Sequence, residues 1–415
     1  MVDCCSAPGL MPMAQAKKNL LANITAITDI DIVPLVDCDK RINAREIISP
    51  INVPAHNNSA MDGYALCGEF DSNKKIAAGK QFELVGIAMA GKPYNGTLQV
   101  GQCIRIMTGA VVPNSANAVE MQENVSVNSN IITLNQATPH SNHIRLAGED
   151  ITIGQSVFAV GHKFSSIDIG LLASLGVAEV QVWRKPKVAV FSTGDELKSA
   201  GEMLSAGDIY ESNRYALIAM LKRLNVDVID LGIIKDNKSK ITQAFLTANE
   251  QADAVVSSGG VSVGDADYTK EVLDELGNIE FWKVAMKPGK PFAFGQLPDS
   301  VFFGLPGNPV SATVTFHQLA IPAIKKMAGQ AVLPTMQISA TTTEKINKRA
   351  GRMDFQRGIA HSKHGALTVT PLSHQGSGVL SSMSTANCYI VLAQDNNGYE
   401  AGETVEIELF DDIIN

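Results

Sequence analysis

Polar and glycine-rich loops follow successive predicted strands in the second half of the chain. Glycine lets backbone N–H groups approach a phosphate closely, and lysine adds positive charge. Aspartate carboxylates are hard oxygen ligands of the kind that Mg²⁺ prefers, often together with substrate phosphates. These residue types predict a site for a phosphate-bearing substrate and Mg²⁺. The candidates are Glu196 in the first loop, Asp236 in the second, Ser257, Gly259, Gly260, Ser262 and Asp267 in the third, and Lys287 and Lys290 in the fourth.

Each of these features also has a simpler interpretation. Asp267 could cap the helix that is predicted to begin at Tyr268. Lys287 and Lys290 could be solvated surface charges, and a single Gly-Pro loop is usually only a turn. The coincidence of such loops at five successive strand ends favours a functional site, in which Asp236 and Asp267 are the predicted Mg²⁺ ligands.

Alternating strands and helices must position these loops. Parallel strands joined by crossover helices form an open α/β sheet, and such sheets bind ligands beyond the carboxyl ends of their strands. Apolar runs predict strands at 187–192, 226–234, 254–258, 279–286, 292–294 and 301–303, and helical patterns separate them at 213–224, 240–249, 268–276 and 309–327. The topology therefore brings the polar loops to one edge.

The remainder of the chain divides by its patterning. Short β-type runs with recurrent Gly and Pro predict a β-rich domain at 53–145, and alternating residues predict a small β-domain at 331–415. The α/β domain covers 186–330. Residues 1–52 and 146–185 form an N-terminal linker and helical domain, whose first helix is a candidate to pack on the α/β domain. We predict a multidomain protein of the α/β plus β class.

Composition excludes several classes of protein. A chain of 415 residues is too long for one ordinary core, and a net charge of −8 argues against a nucleic-acid partner. Residues 1–18 lack a basic start followed by an apolar run, and no long apolar stretch occurs. We expect a cytoplasmic protein without a membrane span. Its six cysteines show no zinc-type spacing and are expected to be reduced.

The sequence also contains a hydrolase-like motif. Residues 260–264 read G-x-S-x-G, which holds a nucleophilic serine in α/β-hydrolases. In those enzymes a helix begins at the serine, whereas here further residues intervene before the predicted helix at 268. The histidines that follow have no distinctive context. A hydrolase is therefore disfavoured.

The chain resembles a known family at these same loops and at several other motifs. It is similar to the molybdopterin molybdenumtransferases, bacterial enzymes related to one half of gephyrin and of the plant molybdenum-cofactor enzyme. The resemblance covers nearly the whole chain. The motifs that carry it are Ser-Ala-Met-Asp-Gly-Tyr-Ala at 59–65, Arg-Ile-Met-Thr-Gly at 105–109, Gly-Glu-Asp at 148–150, Phe-Ser-Thr-Gly-Asp-Glu-Leu at 191–197, the loop 257–268, Lys-Pro-Gly-Lys-Pro at 287–291, Gly-Leu-Pro-Gly-Asn-Pro-Val-Ser at 304–311 and Asp-Phe-Gln-Arg-Gly at 354–358.

The resemblance implies a fold and a reaction. It implies an elongated subunit with a molybdopterin-binding α/β domain, a separate β-rich domain and a C-terminal β-barrel. It also implies a homodimer in which the α/β domain of one protomer and the β-rich domain of its partner share the cleft. The implied reaction inserts molybdenum from molybdate into adenylylated molybdopterin, with Mg²⁺-dependent release of AMP. A molybdopterin adenylyltransferase and acceptor molybdoenzymes are possible further partners.

Site residues beyond the sheet edge also follow from the resemblance. Asp62, Thr108, Glu196 and Asp267 are expected to be catalytic, and Asp150 and Lys283 are expected to bind substrate. Molybdate is a small oxyanion, so cationic and hydroxyl donors suit it. The expected donors are Lys287, Lys290, Ser311, Arg357 and Ser377.

One departure from the family pattern and two rival functions stay open at this point. The segment 54–58 has His56 and Asn57 where the family usually has Phe and Asp, which leaves the packing of that loop in doubt. An adenylyltransferase would have a similar α/β domain, but it normally lacks the other domains. A non-catalytic scaffold such as gephyrin's clustering role usually depends on long linkers, which this sequence lacks. Catalysis is the favoured hypothesis.

Overall fold

The computed structural model describes residues 9–260 and 268–414. Its first elements are helix α1 (Met13–Ala22) and strands β1 (Ile30–Pro34) and β2 (Ile47–Ile48). Leu20 and Ala16 of α1 are fully buried in a core that also contains Phe316 and Leu319 of the α/β region. The first helix therefore packs on the α/β domain through its apolar face.

A six-stranded curled sheet dominates the β-rich region. The sheet order is β8-β4-β7-β6-β10-β9, and Phe82 and Ile104 lie in two buried clusters, one on each side of it. Alternation of side chains along each strand accounts for the two clusters. The strands are β3 (Asn58–Ser59), β4 (Gly63–Leu66), β5 (Lys75–Ile76), β6 (Gln81–Ala88), β7 (Gln102–Ile106), β8 (Ala118–Met121), β9 (Val125–Asn128), β10 (Ile131–Leu134), β11 (Thr138–Pro139) and β12 (Ile144–Arg145).

The chain then returns to the N-terminal segment. Strand β13 (Ser156–Phe158) pairs with β2, and β14 (Glu179–Trp183) pairs with β1, both antiparallel. Helix α2 (Ser166–Ser174) lies between them and begins with a capping box in which Ser165 and Asp168 bond each other's backbone N–H groups. These pairings join residues 30–48 to residues 156–183 in one small unit.

The α/β region contains the sheet that positions the predicted loops. Its order is β18-β15-β19-β23-β22-β20. The elements are β15 (Lys187–Thr193), β16 (Leu197–Lys198), β17 (Ile209–Tyr210), α3 (Asn213–Arg223), β18 (Asp227–Ile234), α4 (Lys238–Gln251), β19 (Ala254–Ser258), α5 (Tyr268–Leu276), β20 (Asn278–Lys283), β21 (Met286–Lys287), β22 (Pro291–Gln296), β23 (Val301–Leu305), α6 (Pro309–Thr315), a π-helical segment at Phe316–Ala320, and α7 (Ile321–Met327).

Helices cover both faces of this sheet. Along β15, Val188 and Val190 lie in one core cluster, whereas Ala189 and Phe191 lie in another on the opposite face. Neighbouring residues of a strand point to opposite faces, so a strand that is apolar at every position must be buried on both. This explains why the strand at 187–192 reads as a continuous apolar run.

The sheet is mixed rather than wholly parallel. Strands β15, β18, β19 and β23 are parallel, whereas β22 pairs antiparallel with both β23 and β20. Only residues 297–300 connect β22 to β23, and a parallel crossover needs about a dozen residues or more. Two successive reversals make β20 point in the same direction as β23. The end of β20 therefore lies at the same edge as the other strand ends, as the sequence predicts.

A closed five-stranded barrel forms the C-terminal region. Strands β26, β27, β24, β30 and β28 are joined in that order, and β28 pairs back with β26. The fold class predicted from the sequence is thereby confirmed. The elements are β24 (Ile338–Thr342), β25 (Ile346–Asn347), β26 (Met353–Lys363), β27 (Ala366–Pro371), α8 (Ser381–Thr385), β28 (Cys388–Leu392), β29 (Gly398–Tyr399) and β30 (Thr404–Leu409).

Two further findings concern the described ranges alone. Their helices do not combine the length and the apolar character that a membrane crossing requires. The cysteines at 38, 67, 103 and 388 are free thiols, and burial raises the pKa of Cys103 to about 12 and of Cys388 to about 11. These thiols are therefore protonated at neutral pH.

Candidate active site at the sheet edge

The carboxyl ends of the parallel strands surround a cavity of about 540 Å³. The loops after β15, β19 and β23 contribute Thr193 and Glu196, Ser258 and Gly259, and Gly307 and Asn308. Residues 209–213, immediately before and at the start of α3, line the other side, and Gly378 reaches the cavity from the barrel. The sheet thus brings the first, third and fifth predicted loops together.

Asn213 connects two of these loops. Its Nδ2 donates to Ser258 Oγ at 2.8 Å and to the Gly307 carbonyl oxygen at 2.7 Å. Both amide hydrogens are used in this way, which fixes the orientation of the side chain. The loops that follow β19 and β23 are therefore held at a defined separation by the first residue of α3.

A buried carboxylate lies beneath the same cavity. Glu211 is 4% exposed, and its Oε1 accepts hydrogen bonds from Ser192 Oγ at 3.1 Å and from the Arg214 backbone N–H at 2.7 Å. Its Oε2 lies 3.5 Å from Arg214 Nε. Neither Asn213 nor Glu211 stands out in the sequence, because their importance depends on a three-dimensional approach of loops. Asn213 begins the predicted helix at 213–224 and Glu211 precedes it by two residues, which is the local signal that the sequence offers.

Close packing of backbone explains the glycine at the end of β19. Gly259 has φ +93°, and a Cβ atom there would lie 2.8 Å from the carbonyl oxygen of Thr193. Any larger residue would push the first loop away from the third. Of the other third-loop candidates, Ser257 is fully buried and Gly260 ends the described segment, whereas Ser262 and Asp267 lie outside the described residues.

Acidic groups collect at the β15 and β18 end of the sheet. The Asp236 backbone N–H donates to Asp195 Oδ1 at 3.3 Å, and Glu196 is the next residue of that loop. Partial desolvation, and then the negative charges of Asp195 and Glu196, raise the pKa of Asp236 above its ordinary value. Within residues 9–260 and 268–414, no group of three or more His, Cys, Asp or Glu side chains is placed to hold a metal ion.

Lysines collect at the other end of the sheet. Lys283 ends β20, Lys287 lies in β21, and Lys290 directly precedes β22. Lys287 Nζ is 3.1 Å from Asp354 Oδ2, and β21 pairs in parallel with β26 of the barrel. The segment between β20 and β22 is therefore attached to the barrel. Asp354 is 3% exposed. Asp354 belongs to the motif at 354–358, which by itself indicates no role for this carboxylate.

The turn between the lysines rests on the helix that follows β23. Gly289 has φ +102°, and a Cβ atom there would collide with Thr315 Oγ1. Ser311 lies one turn earlier in α6 and is buried. The turn carrying the lysines and the predicted Ser311 are therefore neighbours.

Arg357 has a different environment from the one expected. Its side chain is 1% exposed, and its guanidinium donates to Ser382 Oγ and to the carbonyl oxygens of His374 and Gly376. The Val310 backbone N–H donates to the Ser377 carbonyl oxygen at 3.0 Å. We therefore propose that Arg357 shapes the loop that presents Ser377, a role that differs from the oxyanion contact expected from the sequence.

A second polar group lies on the β-rich domain. The backbone N–H and the hydroxyl of Thr108 both donate to Asp62 Oδ1 at 2.7 Å. These two bonds hold the pKa of Asp62 below its ordinary value. Asp150 is exposed and donates its backbone N–H to the Val53 carbonyl oxygen, and His56 is exposed as well. The structure thus brings Asp62 and Thr108 together, whereas Asp150 lies outside this hydrogen-bonded pair.

Comparisons with known proteins agree with this architecture. Residues 11–176 match the family described as "MoeA N-terminal region (domain I and II)", residues 189–326 match "Probable molybdopterin binding domain", and residues 339–410 match "MoeA C-terminal region (domain IV)". The sheet with its polar edge therefore belongs to the domain family that carries this molybdopterin-binding description, within a larger multidomain protein.

Relatives over the full length define the family. The chain is 43% identical over 410 residues to the molybdopterin molybdenumtransferase of Haemophilus influenzae, covering 98% of this chain and 100% of the relative. The Nostoc enzyme of the same name is 37% identical over 328 residues, covering 78% and 75%. A crystal structure of the molybdopterin biosynthesis moeA protein from Pyrococcus horikoshii has a TM-score of 0.84 at 28% identity, covering 97% and 100%. The chain belongs to the molybdopterin molybdenumtransferase family and is a transferase of molybdenum-cofactor biosynthesis.

Proposed function

We propose that the protein inserts molybdenum from molybdate into adenylylated molybdopterin and releases AMP in a Mg²⁺-dependent step. The distribution of charge along the sheet edge carries this proposal. Asp236 and Glu196 lie at the β18 and β15 end, Lys287 and Lys290 lie at the β20 and β22 end, and neutral Ser and Gly loops lie between them. One edge thus offers a place for a cation, for a phosphate-bearing ligand and for a small oxyanion.

The acidic end fits a magnesium ion. Partial desolvation, and then the negative charges of Asp195 and Glu196, raise the pKa of Asp236, and a divalent cation bound there would compensate these charges. We propose that Asp236 and Asp267 hold Mg²⁺, with Glu196 orienting a water or the substrate. When bound, the ion would neutralise charge on the leaving phosphate.

The lysine end fits molybdate. Lys287 and Lys290 flank a turn that Thr315 supports, so their ammonium groups start from a fixed backbone. We propose that these lysines, together with Lys283, Ser311 and Ser377, bind the oxyanion, and that Ser257, Gly259, Gly260 and Ser262 approach the phosphates. The molybdenum ligands in the product are the two dithiolene sulfurs of the pterin, so the protein does not need a cysteine cluster.

We further propose a cytoplasmic homodimer with a shared cleft. Asp62 and Thr108 belong to the β-rich domain and Asp150 to the segment that follows it, and within the described ranges no hydrogen bond or ion pair joins them to the sheet-edge loops. A second protomer would supply them to the cleft. We propose four domains, at 1–52 together with 146–185, at 53–145, at 186–330 and at 331–415. We also propose a molybdopterin adenylyltransferase and acceptor molybdoenzymes as partners.

The decisive experiment supplies the purified chain with adenylylated molybdopterin, molybdate and Mg²⁺. AMP release and reconstitution of a molybdoenzyme are measured together, and we expect both to require all three components. A parallel reaction with ATP and unmodified molybdopterin serves as the control for adenylyltransferase activity. Adenylylation in that control, without metal insertion in the main reaction, would contradict the proposal.

A further inference from the structure

A second cavity lies at the opposite edge of the α/β sheet from the candidate active site. It is lined by the connections 183–186 and 224–226, which lead into β15 and β18, by the end of α7, and by loops of the small unit formed by residues 30–48 and 156–183. Because β15 and β18 are parallel, the chain enters both strands at this edge and leaves them at the other. The cavity is therefore separate from the polar loops that follow the strands.

The lining of this cavity is basic. Its ionisable residues within the described part of the chain are all cations, namely Lys40, Arg41, Lys163, Arg184, Lys185 and Lys325. The chain as a whole has a net charge of −8, so composition does not explain this concentration of positive charge. The four lysines are half-buried, whereas lysine side chains are mostly exposed in proteins.

The two arginines already have partners. Arg41 Nη2 donates to Asp31 Oδ2 at 2.6 Å. Arg184 donates to both carboxylate oxygens of Asp253 at 2.9 Å, and its Nε donates to Asp29 Oδ2 at 3.2 Å. These ion pairs make the arginines part of the frame of the cavity. The positive charge that remains for a ligand therefore belongs to the lysines.

The lysines lack comparable partners. Within residues 9–260 and 268–414, the side chains of Lys163 and Lys185 form neither a hydrogen bond nor an ion pair. Lys40 has a long ion pair, with 3.8 Å between its Nζ and Asp412 Oδ2. Two half-buried ammonium groups beside one cavity are thus without an anion in the described part of the chain.

Lys325 is the most desolvated of these cations. Burial is the largest cause that lowers the pKa of Lys325, Asp411 opposes that shift, and the positive charge of Lys163 adds to it. Lys325 lies in the last turn of α7, where the helix dipole favours a cation. The dipole accounts for Lys325 alone, because the other lysines of the cavity lie on loops outside this helix.

The size of the cavity restricts its ligand. Its volume is about 20 Å³, against about 540 Å³ for the cavity at the carboxyl edge, so it admits a compact ion and not a nucleotide or a pterin. Leu224, Ile324 and Ala328 contribute apolar groups to the wall. Apolar walls keep water away from the ammonium groups, and this strengthens their attraction for an anion.

We propose that this cavity binds a tetrahedral dianion of the phosphate, sulfate and molybdate class through the ammonium groups of Lys163, Lys185 and Lys325. A dianion offsets the mutual repulsion of these groups better than a monoanion does, and its four oxygens accept hydrogen bonds from several directions. Lys163 belongs to the small unit and Lys325 to α7, so a bound ion ties the two parts of the chain together. The inference is independent of the proposed function.

The test measures binding of inorganic phosphate to the full chain by calorimetry, at an ionic strength held constant with sodium chloride. Lys290→Ala serves as the starting protein beside the unsubstituted chain, because the proposed oxyanion site at the carboxyl edge could also take phosphate. We expect saturable binding of one phosphate per chain in Lys290→Ala. Sulfate and molybdate are titrated in the same way, and the ion with the highest affinity identifies the member of the class that the site prefers.

Substitution of the cavity lysines locates the binding. Lys163→Met and Lys325→Met, each made in Lys290→Ala, should lose about 10-fold or more in phosphate affinity, because each removes a charge-assisted hydrogen bond. Lys222→Met is the matched control, since Lys222 is an exposed lysine in the last turn of α3 that does not line the cavity. Its phosphate affinity should stay within about 2-fold of that of the starting protein. Lys163 lies on a loop and lacks a side-chain partner in the described ranges, so its substitution should leave the melting temperature unchanged.

Three outcomes would overturn the proposal. The first is an absence of saturable binding of all three ions to Lys290→Ala, with binding to the unsubstituted chain alone, which would assign the ion to the carboxyl edge. The second is an unchanged phosphate affinity in Lys163→Met at an unchanged melting temperature. The third is an equal loss of affinity in Lys222→Met and in the cavity variants, which would show attraction by the general charge of the surface.

Discussion

Lys287 Nζ lies 3.1 Å from Asp354 Oδ2, which joins a cation of the molybdopterin-binding domain to a buried carboxylate of the barrel. Gln356 Nε2 also donates to that oxygen at 3.1 Å. The pairing of β21 with β26 aligns Lys287 with Asp354 in register. The barrel therefore fixes the position of a lysine that we propose to bind molybdate.

Asp354→Ala should impair the use of molybdate. Without the carboxylate, the Lys287 side chain loses its anchor and samples more rotamers, so we expect the apparent KM for molybdate to rise by roughly 3- to 10-fold. Asp354→Asn keeps an acceptor oxygen and should show a smaller rise. Steady-state kinetics at varied molybdate measures both, with Glu344→Gln on the barrel surface as the control. An unchanged KM in Asp354→Ala would show that the ion pair serves only the fold.

Thr108→Val should shift the pH dependence of the reaction. The hydroxyl of Thr108 is one of two donors to Asp62, and both favour the ionised carboxylate. The variant keeps the backbone N–H bond, so the pKa of Asp62 should rise only part of the way to its ordinary value. If Asp62 acts as a carboxylate, the acidic limb of the pH–rate profile moves to higher pH. Thr108→Ser should restore the profile, and identical limbs in all three proteins would contradict a role for ionised Asp62.

Asp236→Asn should stabilise the protein while weakening its response to magnesium. The folded-state pKa of Asp236 is raised, so its ionised form opposes folding once the pH exceeds the unfolded-state value of about 3.8. We expect the variant to melt about 1 °C higher at pH 7, and this gain should vanish in acid where both states are protonated. Added Mg²⁺ should raise the melting temperature of the unsubstituted protein more than that of the variant. Equal responses to Mg²⁺ would remove Asp236 from the metal site.

Mixed dimers test the shared cleft. Asp62→Ala and Asp236→Asn would each inactivate a different half of the site. After random exchange of the two variants, about half of the dimers contain one chain of each kind. Each such dimer has one intact cleft of two, so activity should recover to about a quarter of the unsubstituted level. Subunit exchange is verified by mass spectrometry of differently labelled chains. No recovery after verified exchange would mean that each protomer carries its own complete site.

The sequence predicts those features that depend on local pattern. The strands at 187–192 and 254–258 read as apolar runs because both of their faces are buried, and their polar loops follow directly. By contrast, the antiparallel direction of β22 depends on its short connection to β23. The hydrogen bonds of Asn213 depend on the approach of two loops that are distant in sequence. The environment of Arg357 could not be predicted either, because the sequence shows its charge but not its burial.

Lys290→Ala and Arg357→Ala should respond differently to excess molybdate. Lys290 is half-buried at the start of β22, and loss of a charge-assisted hydrogen bond worth roughly 1.5–3 kcal/mol weakens apparent molybdate affinity by about 10- to 100-fold. High molybdate should therefore restore much of the rate of Lys290→Ala.

Arg357→Ala instead removes the donor that holds the carbonyl oxygens of His374 and Gly376, so the loop carrying Ser377 should lose its shape. Loss of a buried, hydrogen-bonded group of this kind costs about 2–4 kcal/mol, and we expect a lower melting temperature and a reduced kcat that excess molybdate does not restore. Kinetics at saturating pterin substrate, paired with thermal unfolding, separates the two behaviours. Rescue of Arg357→Ala by molybdate at an unchanged melting temperature would mean that its guanidinium contacts the oxyanion after all, and that the loop opens to admit it.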